Sequence, residues 1–253
     1  MEPKRKDLVG AKDGPAYYAD GKHTLWRDIR AVLHPPYTAW HLSYVVMGSL
    51  IGPTVNWSYL GATVLAFFLA VGVAAHSLDE LKGRPLGTSL SSHILIMASV
   101  IGLAGAVTIG IIGVYKLGPF FALFVIIGTV LVVAYNLELF GGRIHTDLGF
   151  ALAWGAFPVL AAAFAQERSL RAPAIALALG AALLSAAQRS LSNPARLIRR
   201  QVVSVEGRIV LADGIVQILD RSALLAPLEK ALRFMSWATI AFAITLILFR
   251  LTI

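Results

Sequence analysis

The sequence predicts an all-α, polytopic transmembrane helical bundle with about seven spans and an interfacial helical segment. Of the 253 residues, 57% are hydrophobic and 14% are charged, and the mean hydropathy is +0.73. A soluble globular domain carries roughly 25% charged residues, so this composition excludes that class. Seven apolar windows cover about 38–56, 58–75, 92–115, 119–137, 147–165, 172–187 and 233–250. Each window approaches the roughly 20 residues that a helix needs to cross a bilayer.

Lysine and arginine are distributed unequally about these windows. If the N-terminus is cytoplasmic, 18 of the 22 lie on the inner side and four on the outer side, namely Lys116, Arg168, Arg171 and Arg250. The positive-inside rule then predicts an integral membrane protein with a cytoplasmic N-terminus. The location that we expect is the plasma membrane of a prokaryote. Topology and attraction to anionic membrane lipids explain the net charge of +8, so no nucleic-acid partner is expected.

Two regions are predicted along the chain. Residues 1–36 form a basic cytoplasmic tail that ends in an amphipathic helix, and residues 37–253 form the transmembrane domain. The tail lacks the apolar core of a secretory signal. Pro35 and Pro36 break the chain before the first span, because the residue before a proline disfavours helix. Anchoring at the membrane interface is the expected role of five aromatic residues, Tyr37, Trp40, Tyr44, Trp57 and Tyr59.

Two further segments have a predicted structural role. The third span contains glycines at i, i+3 spacing, which lets another helix approach closely; they are Gly102, Gly105, Gly110 and Gly113.

After the sixth span, residues 196–232 form a predicted cytoplasmic amphipathic segment. Its part 202–232 is too charged to span, so an interfacial helix or helix pair is expected there. Residues 202–232 are also where we expect a protein partner to bind.

Ionisable residues concentrate at the inner ends of the second and fourth spans. They are His76, Asp79, Glu80, Lys82 and Arg84 after the second span, and Glu138, Arg143, His145 and Asp147 after the fourth. Such residues are costly near a membrane unless they bind something, so this inner mouth is a candidate functional site. The alternative is an ordinary hydrated cytoplasmic loop. The basic run 188–200 either holds a polyanionic headgroup or lies against anionic lipid.

The order of helix, acidic motif and Arg84-Pro85-Leu86-Gly87-Thr88 resembles the first aspartate-rich motif of the UbiA superfamily of intramembrane prenyltransferases. The resemblance covers about residues 30–200 and includes His34-Pro35-Pro36, the region of Tyr135, and the basic run after the sixth span. The family's second acidic motif is missing: Gln188 to Ser192 and the basic run stand in its place.

The resemblance implies a UbiA-like bundle that transfers a prenyl group from a prenyl diphosphate to a small, aromatic or lipid acceptor. Mg²⁺, held by Asp79 and Glu80, neutralises the leaving diphosphate in such a site. The catalytic residues that it implies are Asp79, Glu80, His145 and Asp147. Its diphosphate-binding residues are His76, Arg84, Tyr135, Arg143, Arg189 and Arg196.

Two other functions remain open at this point. The missing second acidic motif also fits a non-catalytic membrane protein that binds an isoprenoid or lipid diphosphate. A terpene cyclase of the UbiA type shares the metal site and needs no acceptor. Ordinary interfacial ion pairs, such as Glu80 with Lys82 or Arg84 and Glu138 with Arg143, are the structural alternative to both.

Overall fold

The computed structural model describes residues 24–252 as a helical bundle with one small β-hairpin. The helices are α1 (Leu25–Leu33), α2 (Pro35–Leu50), α3 (Trp57–Phe67), α4 (His76–Leu81), α5 (Ser92–Leu117), α6 (Phe121–Asn136), α7 (Asp147–Phe150), α8 (Phe157–Glu167), α9 (Ala172–Gln201) and α10 (Arg221–Thr252). The π-helical segments Phe68–Ala75 and Ala151–Ala156 join α3 to α4 and α7 to α8, and a 3-10 turn covers Phe140–Gly142. Strands β1 (Gly207–Val210) and β2 (Val216–Leu219) form the hairpin.

Within residues 24–252, five helical stretches are long and apolar enough to cross a membrane: Trp57–Leu81, Ser92–Leu117, Asp147–Glu167, Ala172–Gln201 and Arg221–Thr252. Helices α2 and α6 have 16 residues each, which is shorter than a full span requires. The predicted class, a helical membrane protein, is confirmed by the length and apolar composition of the five long stretches. The count of seven spans stays a prediction.

The loops after α4 and α6 and the end of α9 meet at one end of the bundle, which we call the polar end. The Nζ atom of Lys82 donates a hydrogen bond to the Leu137 carbonyl oxygen at 3.3 Å. Arg200 Nη2 donates to the Pro85 carbonyl oxygen at 3.2 Å. Helix α1 packs beside α4 at the same end. The two ionisable clusters of the sequence are thus neighbours in space.

Helix α2 is the central helix, because α8, α9 and α10 all pack around it. Its Trp40 and Tyr44 side chains are only 2% and 1% exposed, so the prediction that these two rings anchor the protein at an interface is wrong. Both rings join a core cluster with Met47 and Val159. Sequence pattern did not reveal this, because α2 carries polar residues whose hydrogen bonds are made inside the bundle, as between His41 Nδ1 and the Trp154 carbonyl oxygen at 2.9 Å.

Glycines permit close contact between helices, as the sequence predicts. A Cβ atom at Gly102 of α5 would lie 2.7 Å from the Leu69 carbonyl oxygen. At Gly155 a Cβ atom would lie 2.6 Å from the Ala181 carbonyl oxygen of α9. Side chains at these positions would separate helices whose van der Waals contact stabilises a membrane bundle.

The segment 202–220 differs from the prediction. An interfacial helix or helix pair was expected over 202–232, but residues 207–219 form the antiparallel hairpin, with Gly207 paired to Leu219 and Val210 to Val216. The remainder, from Arg221 onward, is the first part of α10, which continues without a break to Thr252. The alternation of Val, Ile and Leu with Gly and Asp in this segment has the strand and turn character that explains the hairpin. The amphipathic N-terminal helix is found as α1, with the Thr24 side chain accepting a hydrogen bond from the Arg27 amide; the tail 1–23 lies outside the described residues.

Candidate functional site

A cavity of about 240 Å³ opens at the polar end. We call it the polar cavity. Its walls come from the start of α2, from α4, from the end of α6, from the second half of α9 and from the first half of α10. Acidic, basic and histidine side chains line it, namely His34, His76, Asp79, His145, Arg189, Arg196, Arg199, Arg200, Glu229 and Arg233. The cavity therefore gathers residues that are separated by more than a hundred positions in the sequence.

Three arginines of the polar cavity lie along one stripe of α9. Arg189, Arg196 and Arg200 are spaced by seven and four residues, which places them on the same helix face. Arg189 Nε lies 2.8 Å from Asp147 Oδ1, and its Nη1 donates to the Tyr135 hydroxyl at 3.2 Å. Two separate contacts therefore fix the Arg189 guanidinium.

The other two arginines of the stripe are less fully engaged. Arg196 Nη2 donates to the Asn193 amide oxygen at 2.5 Å, and Arg200 donates to the Pro85 carbonyl oxygen. Among the ion pairs of residues 24–252, neither arginine has a carboxylate partner within 4.0 Å. Their charge is thus available to an anionic ligand.

Asp79 supplies a carboxylate to the cavity wall and its side chain is accessible from the cavity. In the described part of the chain, no donor lies within hydrogen-bond distance and no cation within ion-pair distance of this carboxylate. Arg196, His145 and Arg200 interact electrostatically with this carboxylate. Asp79 is the predicted catalytic residue whose surroundings fit best with a bound cation or ligand.

Glu80 is placed differently from its neighbour. Its side chain is fully buried and accepts hydrogen bonds from the Leu86 amide at 2.8 Å, the Thr88 amide at 2.9 Å and the Thr88 hydroxyl at 2.8 Å. Both carboxylate oxygens are thereby occupied by the loop 82–91. The expectation that Asp79 and Glu80 act as a metal-binding pair is not supported by this geometry, because Glu80 faces away from the polar cavity into the loop.

Arg84 and Arg143 also lie outside the cavity wall. The Arg84 guanidinium donates to the Leu90 carbonyl oxygen and, at 3.0 Å, to the Ser92 hydroxyl. It therefore fastens the loop to the start of α5. Arg143 is exposed in the loop after α6. Asp147 is exposed at the rim, where it holds Arg189.

Tyr135 and His145 form a stacked pair in the cavity wall, with ring centroids 4.4 Å apart. His145 Nδ1 lies 3.1 Å from the Tyr135 carbonyl oxygen. A carbonyl only accepts, so Nδ1 carries the proton in this contact, and Nε2 of the neutral ring keeps its lone pair. These two predicted residues thus reach the site together.

Tyr37, His34 and Arg200 also line the cavity, although none of them is among the predicted diphosphate-binding residues. The Tyr37 ring lies 5.5 Å from His34 and 5.8 Å from His76. Burial, and then the neighbouring His76, lower the pKa of His34 from 6.5 to about 3. Helical spacing from Arg189 and Arg196 was a signal that could have found Arg200.

A second cavity, of about 370 Å³, lies between α3, α5, α6 and α8 and is lined mainly by apolar side chains. We call it the apolar cavity. Val71 and Trp154 line both cavities, so the two adjoin across these residues. No group of three or more acidic, histidine or cysteine residues that could hold a metal by itself occurs in residues 24–252.

Comparison with known proteins identifies no relative of this chain. No family model, no curated protein and no solved structure matches it significantly.

Proposed function

We propose that this protein is an intramembrane prenyltransferase, which transfers a prenyl group from a prenyl diphosphate to a small, aromatic or lipid acceptor in the polar cavity. One observation carries the proposal: Arg189, Arg196 and Arg200 line the same small cavity as Asp79. Guanidinium groups bind phosphate oxygens through paired hydrogen bonds, which makes clustered arginines suitable for a diphosphate. The proposed orientation places this cavity on the cytoplasmic side.

Arg196 and Arg200 are the proposed ligands of the diphosphate. Neither has a carboxylate partner in the described chain, so a diphosphate does not have to displace an ion pair to reach them. Arg189 is held by Asp147 and Tyr135 and closes the side of the cavity. Its guanidinium carbon also lies 5.0 Å from the centre of the Phe150 ring. We assign Arg189 mainly to shaping the cavity.

The hydrocarbon part of the donor has a suitable place beside the headgroup site. The apolar cavity adjoins the polar cavity at Val71 and Trp154. Burial of hydrocarbon contributes roughly 0.8 kcal/mol per CH₂ group when the alternative is water. For a donor that arrives from the membrane the gain is smaller, and shape rather than hydrophobicity would select the chain.

Mg²⁺ fits this site only with help from the substrate. It is commonly bound through one or two carboxylates together with phosphate oxygens and water, and Asp79 is the one cavity carboxylate of residues 24–252 that has no ion-pair partner, since Glu229 pairs with Arg199. Asp79 would therefore hold the ion jointly with the diphosphate. When bound, Mg²⁺ supplies neutralisation of the charge on the leaving diphosphate.

The transfer breaks the bond between the allylic carbon and the diphosphate oxygen, and the electron pair of that bond leaves with the diphosphate. Arg196 and Arg200 stabilise the negative charge that develops there. The acceptor supplies the electron pair of the new bond and loses a proton. We assign that proton to Nε2 of His145, since Nδ1 already donates to the Tyr135 carbonyl oxygen. The Tyr135 and Trp154 rings also line the cavity, in a T-shaped pair with centroids 5.5 Å apart, and an aromatic ring there would stabilise the allylic cation.

The test uses proteoliposomes that contain the purified protein, Mg²⁺ and radiolabelled prenyl diphosphates of several chain lengths, with release of diphosphate as the readout. We expect release with at least one donor, and loss of it in Asp79→Asn or after chelation of the metal. Glu206→Gln is the matched control, because Glu206 is exposed and does not line the cavity. Absence of release with every donor and acceptor pool tested would remove the enzymatic proposal.

A non-catalytic lipid-diphosphate-binding protein is the second candidate. It is favoured by the engagement of both Glu80 oxygens with the loop, which leaves a single available carboxylate. In that case a labelled prenyl diphosphate binds equally well with and without Mg²⁺, is not turned over, and is lost in Arg196→Ala. Turnover without any acceptor, with a cyclised hydrocarbon as product, would instead identify a terpene cyclase.

A further inference from the structure

The β-hairpin of residues 207–219 is the least covered regular element of the described chain. Both strands are exposed along almost their whole length. Large apolar side chains lie open on it, with exposed fractions from 54% to 81% at Val210, Ile215, Val216 and Ile218. No helix of residues 24–252 makes more than a slight contact with it. A two-stranded hairpin that packs against nothing is only marginally stable in water. The exposed apolar side chains therefore indicate that this hairpin is a surface to which a partner binds.

The open edge of β2 is suited to pairing with another strand. The Leu211 amide donates to the Ile215 carbonyl oxygen at 2.9 Å. Hydrogen-bonded and non-bonded pairs alternate in an antiparallel ladder, so Gln217 also directs its backbone groups toward β1. The N–H and C=O groups of Val216 and Ile218 then point away from β1, toward the open edge. This edge carries no charged residue and no proline, which are the usual devices that protect an edge strand.

The lipid bilayer does not provide a suitable environment for the open edge of this hairpin. Backbone groups at an open sheet edge cannot enter the hydrocarbon region, because they find no hydrogen-bond partner there. The hairpin therefore favours a protein strand over the hydrocarbon region of the membrane.

We infer that the partner is a second copy of this chain, joined through antiparallel pairing of β2 with β2. The hairpin is bracketed by α9 and α10, both long and apolar enough to cross the membrane. Two copies inserted in the same orientation therefore present identical edges at the same height, and a twofold axis along the membrane normal pairs these edges antiparallel when the strands run across that axis. The result is a four-stranded sheet. Self-pairing of β1 is less favourable, because it would bring Arg208 of each copy close together.

The register follows from the positions of the outward groups. Pairing Val216 with Ile218 of the other copy uses all four outward groups on each strand and places Gln217 opposite its own counterpart. Because Gln217 directs its backbone toward β1, this central pair is of the non-hydrogen-bonded kind, with Cα atoms about 4.5 Å apart. That separation lies within the range of about 4.4–6.8 Å that a disulfide spans.

The test is cysteine cross-linking in membranes. Since the chain contains no cysteine, every cross-link has to involve the introduced one. In the full-length protein, Gln217→Cys is expected to give a disulfide-linked dimer as the main product under mild oxidation. The matched control is Ile209→Cys, since Ile209 is the cross-strand partner of Gln217 and lies on the other edge of the same hairpin. We expect this variant to stay monomeric, although maleimide labelling shows its thiol to be accessible.

A second variant separates pairing from random collision. Val216→Pro removes an outward N–H at the open edge and keeps the ladder with β1, so in the Gln217→Cys background the dimer should be lost. Equal dimer yields from Gln217→Cys and Ile209→Cys, or a dimer that survives Val216→Pro, would overturn the inference. A Gln217→Cys thiol that is protected from aqueous maleimide in a monomer would overturn it too, by placing the hairpin in lipid.

Discussion

Asp79 and Glu80 are adjacent in the chain, but their carboxylates lie in different surroundings. Asp79 opens into the polar cavity, whereas Glu80 is fully buried and accepts three hydrogen bonds from Leu86 and Thr88. Asp28 of α1 acts on the same loop from the other side, through the Ser89 amide at 2.8 Å. Two buried carboxylates thus hold the loop 82–91, and a third carboxylate is left for ligands.

This division predicts opposite phenotypes for the two acids. Glu80→Ala should lower the free energy of unfolding by at least ~2 kcal/mol, because it leaves two backbone amides and one hydroxyl without their acceptor. Asp79→Ala should leave stability nearly unchanged and remove diphosphate release. Denaturant unfolding in detergent, beside the release assay, measures both. If Glu80→Ala were as stable as the wild type, the loop would not depend on this carboxylate.

Arg196 is expected to be essential for binding the diphosphate. Arg196→Ala should weaken binding of a prenyl diphosphate by about 10- to 100-fold, as the loss of a charge-assisted hydrogen bond of roughly 1.5–3 kcal/mol implies. Arg208→Ala, on the distant hairpin, is the charge-matched control. Equilibrium binding at several salt concentrations is the measurement. An equal effect of the two substitutions would mean that only the net charge matters.

His145 is expected to act on turnover rather than on binding. His145→Ala removes the proposed proton acceptor but leaves the three arginines in place, so kcat should fall while the affinity for the diphosphate changes little. Steady-state kinetics with separate binding measurements will distinguish the two. A rise in KM with unchanged kcat would assign His145 to substrate binding instead.

The apolar cavity is expected to set the length of the hydrocarbon chain. Ala106→Phe places a ring in the lining of this cavity, so the preferred donor should become shorter. Ala104→Phe is the matched control, because Ala104 is exposed on the same helix and does not line the cavity. Competition between donors of different length reports the change. An unaltered preference in Ala106→Phe would place the chain elsewhere.

The stability of the folded protein should fall in mild acid because of His34. Burial and the neighbouring His76 lower the pKa of His34 from 6.5 to about 3. Between these two values the unfolded chain binds a proton that the folded chain does not, so the free energy of unfolding decreases as the pH falls from about 6.5 toward about 3. Above this window the group is neutral in both states and has no effect on the pH dependence.

A pair of substitutions tests this assignment. His34→Gln should reduce the loss of melting temperature between about pH 7 and about pH 5, where the proton-linked contribution of His34 develops. His93→Gln should not, because His93 is exposed on α5. An undiminished loss in His34→Gln would show that another group is responsible.

The sequence by itself determined the class of protein, the approximate position of each long helix, and the meeting of ionisable residues at one end. These properties depend on hydropathy and charge along the chain, because each segment enters the membrane or stays outside it according to its own residues. Close helix contact at Gly102 is also a local signal, because the absence of a side chain is enough to permit it. The count of seven spans stays a prediction, since α2 and α6 have only 16 residues each.

Only the tertiary structure decided which of the ionisable residues form the cavity. Asp79 lines the polar cavity but Glu80 does not, and the Arg84 side chain instead binds Ser92 at the start of α5. Tyr37 and Arg200 line the cavity as well. The tertiary structure also replaced the expected interfacial helix by a hairpin. The direction of a side chain at a helix end depends on which partners the folded chain brings to it. Leu86 and Thr88 reach Glu80 from the loop that follows α4, and Arg189 reaches Tyr135 from α9. Hydropathy cannot encode such contacts, because they depend on how the loops and helices pack.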